Sequence, residues 1–365
     1  MGQYEGLSRP REPNWRGLID NILRNGTPGR TYHIEVFQDP EIRDAIAARF
    51  ELTAGLDPND SHFDRKKYIA IQRFCGFDYV RVGLVNQDIR RNLLLAKDTS
   101  ELAKNEGRAF QDEHKGPIMN WEEFEEFPWP NPEEPSASEE LEWFQDNLPE
   151  DMCIVGSGRF GHFSEWLTWL MGYEKLCYSL YDQRDLVTAI AERLREYYRV
   201  AMRRFLEFDR VKILWGCDDM GFKSGLLISA GDTREFVLPG HKEMAQMAHA
   251  AGRLYLLHSC GNLAEIIDNL IDDVRIDAKH SFEDTIEDVR HAKRSYGQRI
   301  ALLGGIDVDF LCRSDEQAIR KRVRNTLEIC MPGGGYCLGT GSSVANYIPL
   351  ENYLTMVDEG MLCAW

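Results

Sequence analysis

LYLLHSCGN, residues 254–262, begins with an apolar run from Leu254 to Leu257 and stops abruptly at His258, Ser259, Cys260 and Gly261. An unbroken apolar run of this length predicts a strand buried on both faces. On an extended chain residues i and i+2 project to the same side, so an imidazole and a thiol leave the strand tip together. A core strand that ends in reactive groups suits a fold whose strands all deliver their C-terminal ends to one mouth.

Working outward from this stretch, similar runs recur along the chain. Before it come TYHIEVF (31–37), FDYVRVG (77–83), CIVGS (153–157) and VKILWG (211–216); the run itself is RLYLLH (253–258). After it come VRIDAK (274–279), RIALLG (299–304) and GYCLG (335–339). Helix-like segments lie between them, among them 185–208, 234–252 and 314–330, the last opened by the capping pair Ser314–Asp315. Strand–helix alternation implies parallel pairing through right-handed crossovers. Eight such units predict a (β/α)8 TIM barrel over residues 1–365 as a single domain, with an N-terminal extension. A doubly wound sheet is the alternative, weakened because no G-x-G-x-x-G follows the first strand. Residues 107–150, acidic and Pro-rich at NWEEFEEFPWPNPEEPSASEELEWFQ (120–145), read as an inserted loop after the second strand. That loop is either a lid over the mouth or a solvated excursion.

A chain of 365 residues, 43% hydrophobic and 28% charged, can bury a large core. Its formal net charge of −17 argues against a nucleic-acid partner, which would need clustered Lys and Arg. No apolar stretch reaches the roughly 20 residues that span a bilayer, and the first residues lack the apolar core of a signal peptide. The nine cysteines are odd in number and scattered, as in a protein with reduced thiols, so the expected location is cytoplasmic.

The strand ends carry the chemistry. Glu35 lies near the end of the first strand, and GSGRFGHFSEW after the third offers Arg159, Phe160, His162 and Trp166. The fourth strand runs into Asp218 and Asp219, the fifth into His258 and Cys260, and the sixth into Lys279, His280 and Glu283. Thiolate and imidazole together suit zinc better than magnesium or calcium. His280 comes directly off the neighbouring strand and is the expected third ligand, with Glu283 in reserve. A buried thiol and a hydrogen-bonded core histidine are the plainer alternative. Of the consecutive carboxylates Asp218 and Asp219, only one can face the mouth, where it could serve as a general acid or base; Glu35 is a third catalytic candidate. Arg159, Phe160 and Trp166 are candidate substrate contacts.

Read in order, MGYEKLCYSLYDQRDLV (171–187), CDDMGFKSGLLIS (217–229) with REFVLPGHKEM, LLHSCGN (256–262) and GTGSSVANYIPLENYLTMVD (339–358) resemble the uroporphyrinogen decarboxylase-like superfamily. The resemblance runs from about residue 150 to the C-terminus. It implies a (β/α)8 barrel. True uroporphyrinogen decarboxylases carry an N-terminal motif with paired arginines; GTPGRTYHIEVF has Arg30 alone. The resemblance is closer to the zinc methyltransferases that work with corrinoid proteins, whose H-x-C is matched by His258 and Cys260. Their further cysteine after strand eight is replaced by Ser342, with Cys337 five residues too early, which puts the usual ligand set in doubt.

The expected function is a zinc-dependent transfer of a methyl group from a small donor, such as a methoxylated aromatic, to a corrinoid. No corrinoid-binding D-x-H-x-x-G motif is present, so the corrinoid belongs to a partner protein; a homodimer is a possible assembly. The competing readings are a metal-free decarboxylase of a smaller acid, with Arg159 on a carboxylate, and a non-catalytic ligand-binding barrel.

Overall fold

The computed structural model describes residues 4–9, 11–104, 107–158 and 160–363. Its centre is a parallel sheet of seven strands in chain order: β1 (Tyr79–Val82), β2 (Cys153–Gly156), β3 (Val211–Cys217), β4 (Leu254–His258), β5 (Ala278–His280), β6 (Ala301–Leu303) and β7 (Tyr336–Cys337). Each pairs with the next. The strands are buried along nearly their whole length, as the apolar runs require. Trp215, Tyr255 and Leu256 are fully enclosed, and burying a side chain of this size contributes about 1.5–3 kcal/mol.

Helices cross over between strands. The longest, Arg184–Leu206, buries Leu186, Ile190, Leu194, Tyr197, Tyr198 and Ala201, a spacing of three and four that lays one stripe on the sheet. Asp315 caps the helix Glu316–Cys330 by accepting the Ala318 N–H at 2.8 Å, as its sequence suggested.

Residues 31–38 take a different form from the expected first strand. They touch the far edge of the sheet through isolated bridges, His33 to Leu338 and Gln38 to Val344. Ile34 N–H donates to the Leu338 carbonyl, and Leu338 N–H to the Tyr32 carbonyl, both at 2.8 Å. On the β1 side the link is a side chain. The Tyr79 hydroxyl accepts the Glu35 N–H at 2.9 Å and donates to the Glu35 carbonyl at 3.0 Å. A phenol therefore occupies the backbone groups that a ladder would have used, and the sheet is curled, with this segment along its open side.

Between β1 and β2 the chain forms an antiparallel hairpin, Leu93–Ala96 with Arg108–Gln111, then the helices Trp121–Glu125 and Glu139–Asn147. The sequence 120–145 shows no clear period, yet it is partly helical because local caps start a turn. Asn120 accepts the Glu123 N–H, and the Glu123 carboxylate accepts the Met119 N–H. The hairpin leaves Leu93, Leu94, Leu95 and Phe110 exposed. Among the described residues, no helix is long and apolar enough to cross a membrane.

Candidate metal centre

Register aligns the strand tips. Cys217 on β3 pairs with His258 on β4, and His258 pairs with His280 on β5. Beyond this rank β3 continues to Asp218 and Asp219, and β4 to Ser259 and Cys260. The alternation of the extended chain sends the two aspartates apart.

Asp218 turns away from the mouth and is fully buried. Its carboxylate accepts the Ser164 and Glu165 N–H groups at 2.8 and 2.9 Å and bonds His241 Nε2 at 2.9 Å. These are first-turn amides of the helix Phe163–Met171, where a negative charge is favoured. Asp218 thus holds a helix end and does not line the cavity at the strand tips.

Asp219 turns inward. Its Oδ1 accepts the Cys260 N–H at 2.8 Å and lies 3.4 Å from His258 Nε2, while the Cys260 sulfur lies 3.5 Å from the same nitrogen. Asp219, His258 and Cys260 each offer a ligand atom, all within 4.8 Å of one another. In a tetrahedral zinc site, bond lengths near 2.0–2.3 Å put nitrogen and oxygen about 3.4 Å apart and nitrogen and sulfur about 3.5 Å apart. The three residues would fit such an ion, and all three line the cavity at the strand tips. Their electrostatics agree. Burial disfavours a His258 cation, but Cys260 and Asp219 outweigh it and hold the imidazole pKa well above its usual range. Burial would likewise raise Asp219, yet His258 and the Cys260 N–H keep it well below the usual carboxylate range. A proton is thus held at His258 Nε2, and a bound cation would have to take its place.

His280, expected as the third ligand, stands behind His258. Its Nδ1 lies 2.7 Å from His258 Nδ1, and its Nε2 faces the Thr340 carbonyl at 3.2 Å, so both nitrogens are engaged. Burial, and then the neighbouring His258, hold its pKa well below the usual range. Glu283 lines a separate cavity of about 460 Å³ with Lys279, whose ammonium burial lowers to about 8. Ser281 and Ser342 hydroxyls lie 3.8 and 3.9 Å from the Cys260 sulfur.

Glu35 is buried in the wall of the main cavity and bonded to Thr340 through its backbone N–H at 3.0 Å and its hydroxyl at 2.6 Å. The Thr340 hydroxyl oxygen, with a single proton to give, also lies 2.6 Å from the Ser342 carbonyl oxygen. A protonated Glu35 satisfies both contacts, donating to the hydroxyl while the hydroxyl donates to Ser342. Burial pushes this carboxyl up to about 8. Phe160 packs edge-on against Tyr198, Phe205 and Tyr255, and Trp166 donates its indole N–H to Tyr198 at 2.7 Å; both are buried. Arg159 lies outside the described residues. Arg30 pairs with Asp78, which precedes β1, at the end of the sheet opposite the strand tips.

Two groups that the sequence reading left without a role also face the cavity. Glu165 is bonded to His162, and burial raises its carboxyl pKa. The alternation in FDYVRVG puts Arg81 on the same face of β1 as Tyr79, which was visible in the sequence. The cavity measures about 1130 Å³ and includes Asp219, His258 and Cys260 in its wall.

Comparison with known proteins agrees with this architecture. A methyltransferase from Methanosarcina mazei has a similar fold, with a TM-score of 0.67 and 17% identity over 96% of this chain and 98% of that one. The methylated-thiol–coenzyme M methyltransferase of Methanosarcina mazei is 32% identical over 130 residues. That alignment takes in 35% of this chain and 32% of the relative, about a third of its length. Residues 115–360 match the family described as Uroporphyrinogen decarboxylase (URO-D). With two thirds of its length matched, the chain belongs to the uroporphyrinogen decarboxylase family.

Proposed function

We propose that this protein is a zinc-dependent methyltransferase that moves a methyl group from a small donor to the corrinoid of a separate protein. The arrangement of Asp219, His258 and Cys260 at one end of the sheet carries the reading. The methyltransferases among its relatives support it.

When bound, zinc supplies Lewis acidity to the oxygen or sulfur that bears the methyl group. The chain's own residues do the rest. His280 fixes the orientation of the His258 ring, and the Cys260 N–H fixes the Asp219 carboxylate. Glu165, kept protonated more readily by burial, is the proton source for the departing heteroatom; Asp218 places it by holding the first turn of its helix. Trp169 gives the cavity an apolar wall suited to a methoxylated aromatic donor. In this reading the seven strands and residues 31–38 act as one (β/α)8 barrel domain. Residues 107–150 form a lid, a role supported by Glu140 and Phe144 in the cavity wall.

Protein purified without chelator is expected to carry about one zinc per chain and to methylate cob(I)alamin from a methoxylated aromatic acid or a methyl thioether. Protein that contains no transition metal and takes up none on addition overturns the reading.

A further inference from the structure

The cavity over the three ligands holds an imbalance of charge partners. Its acidic residues are already engaged. Glu35 bonds Thr340, Asp39 bonds Lys104, Asp64 bonds Lys67, Glu140 bonds Arg65, Glu165 bonds His162 and Asp219 bonds His258. Two arginines of the same wall, Arg81 and Arg43, have no hydrogen-bond or ion-pair partner for their guanidinium groups among the described residues. The Nε of each is sealed from solvent without an acceptor.

Their setting is built. Arg81 projects from β1 and lies over the Trp215 ring, 5.4 Å from its centre. Trp215 in turn packs edge-on against His280, the residue behind His258, with ring centres 5.7 Å apart. Arg43, from the helix Pro40–Arg49, lies 5.1 Å from the centre of the Tyr68 ring. The Tyr68 hydroxyl accepts the Arg81 backbone N–H at 3.1 Å, so one tyrosine bears on both arginines. In a chain with 60 acidic residues against 43 basic ones, an acidic partner would be easy to provide. A partly enclosed guanidinium without one is costly, and its planar fork matches a carboxylate or another oxyanion.

We propose that Arg81, with Arg43 beside Tyr68, anchors an anionic group of the substrate, so that the methyl donor is a small anion held with its other end toward Asp219, His258 and Cys260. The orientation rests on the metal reading above; the anchor itself does not. Trp215 couples the two places, because it carries the guanidinium on its face and meets His280 at its edge. Carboxylate, sulfonate and phosphate share the chemistry that the anchor recognises.

Isothermal titration of the full chain with benzoate, benzamide, methanesulfonate and inorganic phosphate tests this. At least one anion is expected to bind, and benzoate at least tenfold more tightly than benzamide if the group is a carboxylate. Preference for methanesulfonate or phosphate identifies the other sources of charge. Arg81→Gln should weaken the preferred anion at least tenfold, Arg81→Lys less, and Arg43→Gln by a smaller factor. If Arg81→Gln does not fold, the Arg81→Lys and Arg43→Gln losses decide the matter. Failure of all three anions to bind, or unchanged anion binding in the variants, overturns the proposal. Zinc measured on the same samples separates the two readings. Arg81-dependent anion binding without zinc uptake overturns only the metal site; zinc uptake without such binding overturns only the anchor.

Discussion

His258 and His280 meet through their Nδ1 atoms, 2.7 Å apart. Only one of these nitrogens can carry the shared proton. The Thr340 carbonyl 3.2 Å from His280 Nε2 requires a proton on that atom, so neutral His280 presents a bare Nδ1. His258 must then donate from Nδ1, which directs its Nε2 toward Asp219 and Cys260. A carbonyl and a second imidazole thereby leave Nε2 as the His258 atom that would face a metal in the proposed site.

His280→Ala is expected to weaken zinc binding about 10–100-fold without abolishing it, the usual cost of losing a residue that orients a ligand. Competition against a chromophoric chelator measures this. Affinity equal to wild type would show that His258 needs no such support.

Alanine at Cys260, His258 or Asp219 should each strip most of the bound metal, with the circular dichroism of the fold retained. Ser342→Ala should leave metal content near wild type, since its hydroxyl stands 3.9 Å from the sulfur and is a poor zinc ligand at neutral pH. Elemental analysis of the four proteins decides whether Asp219 belongs to the set.

Glu35 predicts a pH dependence of stability. Its carboxyl rises from an ordinary 4.5 to about 8 in the folded protein, chiefly through burial. Between those values the folded state keeps a proton that the unfolded chain has released. The contribution is fully present below 4.5 and is lost as pH climbs through 8. The slope is at most about 1.4 kcal/mol per pH unit. Glu35→Gln keeps a donor for the Thr340 hydroxyl and should flatten this part of the profile in urea unfolding from pH 5 to 8. Parallel profiles for the two proteins would count against a protonated Glu35.

Legibility followed the physics of each element. LYLLH and VKILW announced themselves because strands buried on both faces leave an unbroken apolar run. TYHIEVF looked similar, but its pairing depends on the hydroxyl of Tyr79, a contact 44 residues away that no local pattern records. At Asp218–Asp219 the alternation said that one carboxylate must leave the mouth. Which one was settled by a helix needing its amides capped. His280 and Asp219 compete for one role, and the register of β4 on β5 places His280 level with His258 and behind its ring, while Cys260 lies beyond. Arg81 was readable as an arginine inside an apolar strand; its lack of an acid could be known only once the wall was assembled.

Gly261 should tolerate no side chain. Its φ is +90°, and a Cβ there would lie 2.1 Å from the backbone of Gly221. Gly261→Ala must move either the Cys260 turn or the facing hairpin Gly221–Leu226, at a cost of roughly 1–3 kcal/mol or more. A lower melting temperature accompanied by weaker zinc binding is the expected pair of results. A melting temperature equal to wild type would mean that the two backbones separate easily.

Uroporphyrinogen should not be decarboxylated at a measurable rate by the purified protein. Arg30 is held by Asp78 at the opposite end of the sheet, where it cannot meet a substrate at the strand tips. Steady release of carbon dioxide from that compound would reverse the ranking of the two chemistries.

The exposed leucines of the hairpin Leu93–Ala96 have a consequence for how the molecules behave toward one another in concentrated solution. At a net charge of −17, copies repel, and at about 0.1 M salt that repulsion reaches about 10 Å. At about 1 M salt it shrinks to about 3 Å, and Leu95, 72% exposed on the face of the hairpin opposite Leu94 and Phe110, becomes an apolar surface on which colliding chains can gain by sticking. Added salt, which keeps many proteins dispersed, should therefore cloud solutions of this one, and a lysine at position 95 should clear them.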